Sequence, residues 1–239
     1  MVRTAEVTFL PRVKYNVGYM KICVVTERNR EQTIKLPPCD LALFGFGILG
    51  TVNYESELNG KSEKLELMTR LSRACKCGVL TGCITDSRGL KRKSVSVSHD
   101  GKLLGITDMR FVLDGEEYKS GATIGVYGVG GYRVGVCVEN DLYFPDGIKS
   151  LSLCGCNIIC VFLEELSDGM PPQIVRTFAY LYGVPFVLCA GGCAYFADVN
   201  GVMASSNQSV AVFETSPKNC YRVITSRRRG LFADGYADY

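Results

Sequence analysis

The sequence predicts an α/β fold with a mixed sheet. Two patterns carry that reading. Continuous apolar runs such as 156–162 and 184–189 have the character of strands buried on both faces, and they alternate with amphipathic helical segments. Alternating segments closed by Asp-Gly or Asn-Gly add antiparallel hairpins to that parallel core. The chain has 239 residues, 47% hydrophobic and 21% charged, with 26 Gly and 8 Pro. This composition excludes a disordered or collagen-like chain. No repeat, linker or low-complexity block interrupts it, so residues 1–239 are read as one domain.

The elements follow in order. Residues 1–19 show no strong period. Met20–Thr26 is β-branched and apolar, a strand, and Asp40–Phe44 is a second one before the Gly45-Phe46-Gly47 turn. Lys61–Cys75 is a helix, because Leu65, Met68, Leu71 and Cys75 recur at helical spacing and charges fill the other face. Gly78 is expected to close it, and 78–85 is an apolar strand. Lys93–Ser98 alternates at period two, His99-Asp100-Gly101 turns, and Leu103–Ile106 returns. Strands at 122–127 and 132–138 flank Gly128-Val129-Gly130-Gly131. That turn has no following helix to present free N–H groups, so it is no phosphate loop. Helices are expected at Pro145–Leu153 and from Pro171-Pro172 to Tyr182, where Gly183 closes. A hairpin follows around Val199-Asn200-Gly201-Val202.

Several function classes are set aside. The net charge is +3, low for a dedicated nucleic-acid binder, and the Arg227-Arg228-Arg229 cluster reads as a solvated tail. Tyr180–Ala197 carries no charge and approaches the length of a membrane span. It breaks at Gly183, Pro185 and Gly191-Gly192, so it is a helix end, a strand and a turn. The first residues hold an acid and no apolar stretch of signal-peptide type. The 12 cysteines lie mostly in apolar runs and read as reduced core thiols of a cytoplasmic protein. Cys75-Lys76-Cys77, Cys154-Gly155-Cys156 with Cys160, and Cys189 with Cys193 lack the two-residue spacing that structural zinc prefers. No metal or cofactor is expected. His99 is the single histidine and sits in a turn, which argues against triad chemistry.

The informative segment is Gly135-Val136-Cys137-Val138-Glu139-Asn140-Asp141-Leu142-Tyr143-Phe144-Pro145. A strand ends, a tight polar elbow follows, and Phe-Pro starts a helix. The segment resembles the nucleophile elbow of the nitrilase, or carbon–nitrogen hydrolase, superfamily. That pattern is Gly, three mostly apolar residues, the catalytic Cys, one residue, Asp, two residues, Phe-Pro. The flanks are similar too: 40–50 to the strand that carries the family's Glu, 71–82 to its next helix and strand, and 99–104 to the hairpin before its Lys. Residues 155–161 and 176–187 resemble its later strand and helix, so the likeness spans roughly 20–213.

The resemblance implies a four-layer αββα sandwich of two mixed sheets and a homodimer or higher homo-oligomer, built through Pro145–Leu153 and Pro171–Tyr182. The family's first long helix looks shortened between Thr26 and Asp40. The tail 226–239 lies beyond the likeness and reads as an arm toward a partner subunit. The family's nucleophilic Cys falls on Glu139, its Lys on Asp108, or Met109 if the register slips by one, and its Glu on Phe46. The thiolate attacks, the Glu takes the thiol proton and the Lys stabilises the oxyanion. Phe46 transfers no proton, Asp108 repels an oxyanion, and Glu139 is a poor nucleophile for amides.

The expectation is therefore a catalytically inactive pseudoenzyme that binds an amide or amine ligand or a partner, with neither nucleic acid nor membrane. Asp108 and Glu139 would share one pocket and bind a cation or an amine. Glu116 or Glu117 would match a second family Glu, and Cys137, Asn140, Asp141 and Tyr143 would line the pocket. By alternation Cys137 shares a strand face with Glu139 and reads as a core thiol. The alternative is an amidohydrolase with relocated residues, using Cys137, Glu139 and Lys102 or Lys119.

Overall fold

In the computed structural model the described residues are 7–9, 19–26, 34–166 and 168–216. The arm 226–239, the Arg227–Arg229 cluster and most of residues 1–19 and of the segment between Thr26 and Asp40 lie outside them.

Two mixed sheets form the molecule. The first contains β2 (Met20–Val25), β4 (Leu41–Phe44), β6 (Gly78–Ser87), β7 (Leu90–His99), β8 (Lys102–Asp108) and β15 (Val210–Thr215), in the order β15-β2-β4-β6-β7-β8. The short β5 (Thr51–Asn53) pairs with the far end of β6. The second runs β14-β13-β12-β11-β10-β9, from β9 (Gly125–Val129), β10 (Tyr132–Val138), β11 (Ile158–Phe162), β12 (Phe186–Ala190), β13 (Cys193–Ala197) and β14 (Met203–Ser206). In each sheet the centre is parallel and the flanks are antiparallel: β2–β4–β6 and β10–β11–β12 run together. A separate parallel pair joins β1 (Val7–Phe9) to β3 (Ile34–Leu36).

Three apolar layers glue the architecture. The central one lies between the sheets and holds Leu41, Leu80, Val95, Val97, Val136, Val138, Phe162 and Val187. The second covers the outer face of the second sheet, where Cys137, Ile159, Val161 and Leu188 meet α3 (Pro145–Leu153) and α4 (Met170–Tyr182). The third covers the outer face of the first sheet, where Cys23, Ala42, Phe44 and Val79 meet α2 (Lys64–Cys75). Helix, sheet, sheet, helix is the four-layer order expected. Burial of both sheet faces explains why β11 and β12 read as unbroken apolar runs.

Some local expectations change. The helix expected from Lys61 starts at Lys64, and α1 (Tyr54–Leu58) precedes it. Lys76 in the left-handed region (φ 54°) ends α2, not Gly78. Gly78 is required for another reason: a Cβ there would overlap the Val129 side chain of the opposite sheet. The strands expected to end at 85 and begin at 93 extend to a tight turn at Arg88-Gly89. The strand placed at 122–127 is β9, three residues later. Tyr180–Ala197 divides into the end of α4, β12 and β13. Among the described residues no helix is long and apolar enough to cross a membrane.

Candidate functional site

The elbow sits where the second sheet's central strands end. β10 is extended through Val138, and Glu139 then adopts φ 49°, which costs an ordinary L-residue about 1–2 kcal/mol. A 3-10 turn over Glu139–Tyr143 follows, and Pro145 begins α3 with its fixed φ in the first turn. Such strain at a strand end aims one side chain away from the path that strand alternation would set.

The aim of Glu139 is toward the space between the sheets. Its Oε1 accepts the Glu164 backbone N–H at 2.6 Å and lies 3.4 Å from Lys93 Nζ. Lys93 also lies 3.1 Å from Glu164 Oε2, and its ammonium stands 5.3 Å from the Tyr118 ring centroid. The Lys93 and Glu139 side chains are only 14% and 13% exposed. Burial raises the Glu139 pKa, and the Lys93 charge and the Glu164 N–H only partly offset it. Burial works against the Lys93 charge, but Glu139 and Glu164 outweigh it and its pKa is raised. Removal of the pair from water thus dominates at the carboxylate, and the two flanking carboxylates dominate at the ammonium.

Asp141 anchors the turn. Its buried Oδ1 accepts the Arg110 and Phe111 N–H groups at 2.9 and 3.0 Å, and Arg110 Nε stands 3.7 Å from Oδ2. Burial still leaves its pKa raised. Phe111 stacks on Phe144 at 3.7 Å between centroids. The segment after β8 is thereby tied to the elbow. Asn140 Nδ2 donates to Glu116, at 3.3 and 3.2 Å from its two oxygens. Glu116 and Glu117 are exposed, and Glu117 pairs with Lys91. Tyr143 is exposed on the turn.

The structure does not bring Asp108 to Glu139. Asp108 Oδ1 accepts from the Ser94 hydroxyl at 2.7 Å, Ser94 Oγ lies 2.9 Å from Thr85 Oγ1, and Arg92 Nε stands 3.7 Å from Oδ2. Ser94 and Lys93 are adjacent on β7 and face opposite sides. A β-bulge is the cause. The hairpin pairs His99 with Lys102 and Ser98 with Leu103, then Val97 with Gly105, so β8 carries one extra residue. Without it Asp108 would stand opposite Lys93. With it Asp108 pairs with Ser94, and Met109, fully buried in the central core, donates its N–H to the Lys93 carbonyl. The expected two-carboxylate pocket is corrected accordingly: a lysine, not a second acid, meets Glu139.

Two further placements follow. Phe46, 8% exposed, lies in the central core against Gly82, where a Cβ would come within 3.0 Å of its ring. Cys137 is buried in the outer, helix-facing layer. The shared face expected for Cys137 and Glu139 is corrected too, because the positive φ at Glu139 turns its side chain inward. Burial, with the nearby Asp141, keeps the Cys137 thiol protonated, well above the ordinary thiol range. Lys102 lies at the β7–β8 turn, and Lys119 N–H donates to the Lys91 carbonyl. The sequence reading missed Lys93. Its signal was weak, since a lysine opening KSVSVS is ordinary for a strand end.

Solved structures share this arrangement of layers. An amidase of the nitrilase superfamily from Nesterenkonia AN1 superposes with a TM-score of 0.69 at 13% identity, over 92% of this chain and 98% of that one. Nit3 of Saccharomyces cerevisiae, from branch 10 of the nitrilase superfamily, gives 0.70 at 13% identity, over 90% and 95%. A glutamine-dependent NAD+ synthetase from Acinetobacter baumannii gives 0.58 at 15%, over 83% of this chain and 46% of that one. No protein-family model and no curated protein sequence matches the chain. The fold is that of the nitrilase superfamily.

Proposed function

We propose that this protein is a catalytically inactive member of the carbon–nitrogen hydrolase fold that acts by binding. One observation carries the reading: the strained elbow, where a nucleophile would be presented, holds Glu139 in an internal ion pair with Lys93 and on the Glu164 N–H. A carboxylate engaged in this way offers no thiolate for acyl transfer. Phe46 can accept no proton, and the thiol of β10 faces the helices. Loss of a nucleophile alone removes many orders of magnitude of rate.

Lys93 already neutralises the carboxylate, so the ligand is read as a small amide or amine or a protein partner, not a divalent cation. The remaining parts of this reading are a homodimer through α3 and α4 and a cytoplasmic location with reduced thiols. The test is an ammonia-release screen over aliphatic amides, carbamoyl compounds and nitriles. No turnover, with the same result for Glu139→Gln, is expected. Turnover abolished by Glu139→Gln or by Cys137→Ser would overturn the reading in favour of a working amidohydrolase.

A further inference from the structure

The inner face of β7 meets the second sheet at both ends. Alternation puts Lys93, Val95, Val97 and His99 on that face, with the two valines in the central core. Lys93 reaches Glu139, just past the end of β10. At the other end His99 reaches the turn between β9 and β10, where its Nε2 accepts the Gly130 N–H at 3.1 Å. Gly130 is held at φ 57°, and a Cβ there would meet the ring Cε1 at 3.9 Å. The single histidine of the chain thus links the β7–β8 hairpin of one sheet to the β9–β10 hairpin of the other.

This contact fixes the ring proton. A neutral imidazole has one donor and one acceptor nitrogen. Nε2 is the acceptor, so the proton sits on Nδ1. That Nδ1 is buried and has no hydrogen-bond partner among the described residues, and neither has the adjacent Ser98 Oγ. Ser98 stands beside the β8 bulge. Two unsatisfied polar atoms in succession mark this hairpin end as a weakly held part of the sandwich. The charged and titratable groups around the rim come from every neighbouring element. They are Asp100 in the turn, Lys102 opposite His99 on β8, Arg73 of α2 packed on Gly101, Tyr132 at the start of β10, and Asp40 and Lys76 beside the start of β6. None of them supplies an acceptor for Nδ1.

We propose that His99 is an acid-released clasp between the two sheets. A protonated imidazole carries two donors and no acceptor. It loses the Gly130 N–H bond, and Nδ1 still finds no partner, so the charged ring must swing out to water. The released state holds one proton more than the clasped one, and acid therefore favours release. Asp40 and Asp100 favour the charged ring, and Arg73, Lys76 and Lys102 oppose it. Release frees the turn at the start of β10. Lys93 stands six residues along β7, about 20 Å away at about 3.3 Å per residue. The elbow pair therefore stays in place, and the clasp stands apart from the function proposed above.

With one histidine in the chain, the imidazole resonances of the isotope-labelled full chain are unambiguous. An NMR titration from pH 7.5 to 5 reads the ring and the hydrogen-exchange protection of the Gly130 amide together. The expected ring carries its proton on Nδ1 at pH 7.5. As the ring charges, Gly130 protection, corrected for intrinsic exchange, should fall by about tenfold per pH unit. His99→Gln offers an acceptor that does not titrate, so its Gly130 protection should stay constant. A ring protonated on Nε2 at pH 7.5, Gly130 protection unchanged down to pH 5, or an equal loss in His99→Gln would overturn the proposal. The wild-type titration decides even where the variant fails to fold.

Discussion

Replacing Lys93 by Met tests the elbow most directly. Met keeps the apolar stem and removes the ammonium that stands 3.4 Å from Glu139 and 3.1 Å from Glu164. Taking one partner from a buried ion pair costs about 3–5 kcal/mol, because the other charge is left in a poor solvent. Glu139 keeps the Glu164 N–H bond at 2.6 Å, and Glu164 itself reaches water. The expected loss at pH 7.5 is therefore about 2–4 kcal/mol. For a domain of this size that lowers Tm by about 2–4 °C per kcal/mol, or about 6–12 °C at the centre of the range. Protonation of Glu139 relieves the variant, so the loss should shrink at pH 5. Glu139→Gln combined with Lys93→Met should recover part of it, since a neutral pair avoids the buried charge. The assay is thermal and urea unfolding of both single variants and the double variant at the two pH values. A loss under about 1 °C, a loss independent of pH, or strictly additive single effects would refute the ion-pair account.

Three other predictions follow from the same geometry. Asp141→Ala strips the acceptor from the Arg110 and Phe111 N–H groups and should cost about 2–5 kcal/mol by urea unfolding, with Asp141→Asn much milder. Gly78→Ala drives a Cβ into Val129 across the sheets and should cost about 1–3 kcal/mol; unchanged stability would show that the sheets separate easily there. The third concerns pH: the folded pKa of Glu139 is raised above its ordinary 4.5, so its contribution to folding is fully present below that ordinary value and is lost as pH rises through the folded value. The stability of wild type minus Glu139→Gln should accordingly shift toward wild type as pH falls from 7.5 to 4, read from urea midpoints.

Much of the framework was legible because it rests on local rules. The apolar runs at β11 and β12 are long enough to mark strands covered on both faces. Asp100-Gly101, both at positive φ, closes β7–β8 where the turn signal stood. The elbow appears where the strand-to-helix pattern stood, and the structure adds the left-handed backbone of Glu139. The short α1 and β5 were not legible, since a few residues carry no period. The one-residue shift at β8 was not legible either, because no residue type near Leu104 announces a bulge.

The main strands and helices, the turn residues and the strand-to-helix elbow at Glu139 were thus determined by the sequence alone, through periodicity and backbone preference. Which charges meet was decided only by the tertiary structure. Side-chain facing in a sheet alternates at every residue, so one extra residue in β8 sends Asp108 to Ser94 on the outer face and leaves Lys93, from a neighbouring strand, to meet Glu139. Pairing between strands far apart in the chain depends on that register, and the register is set by the packed sheets, not by any local pattern.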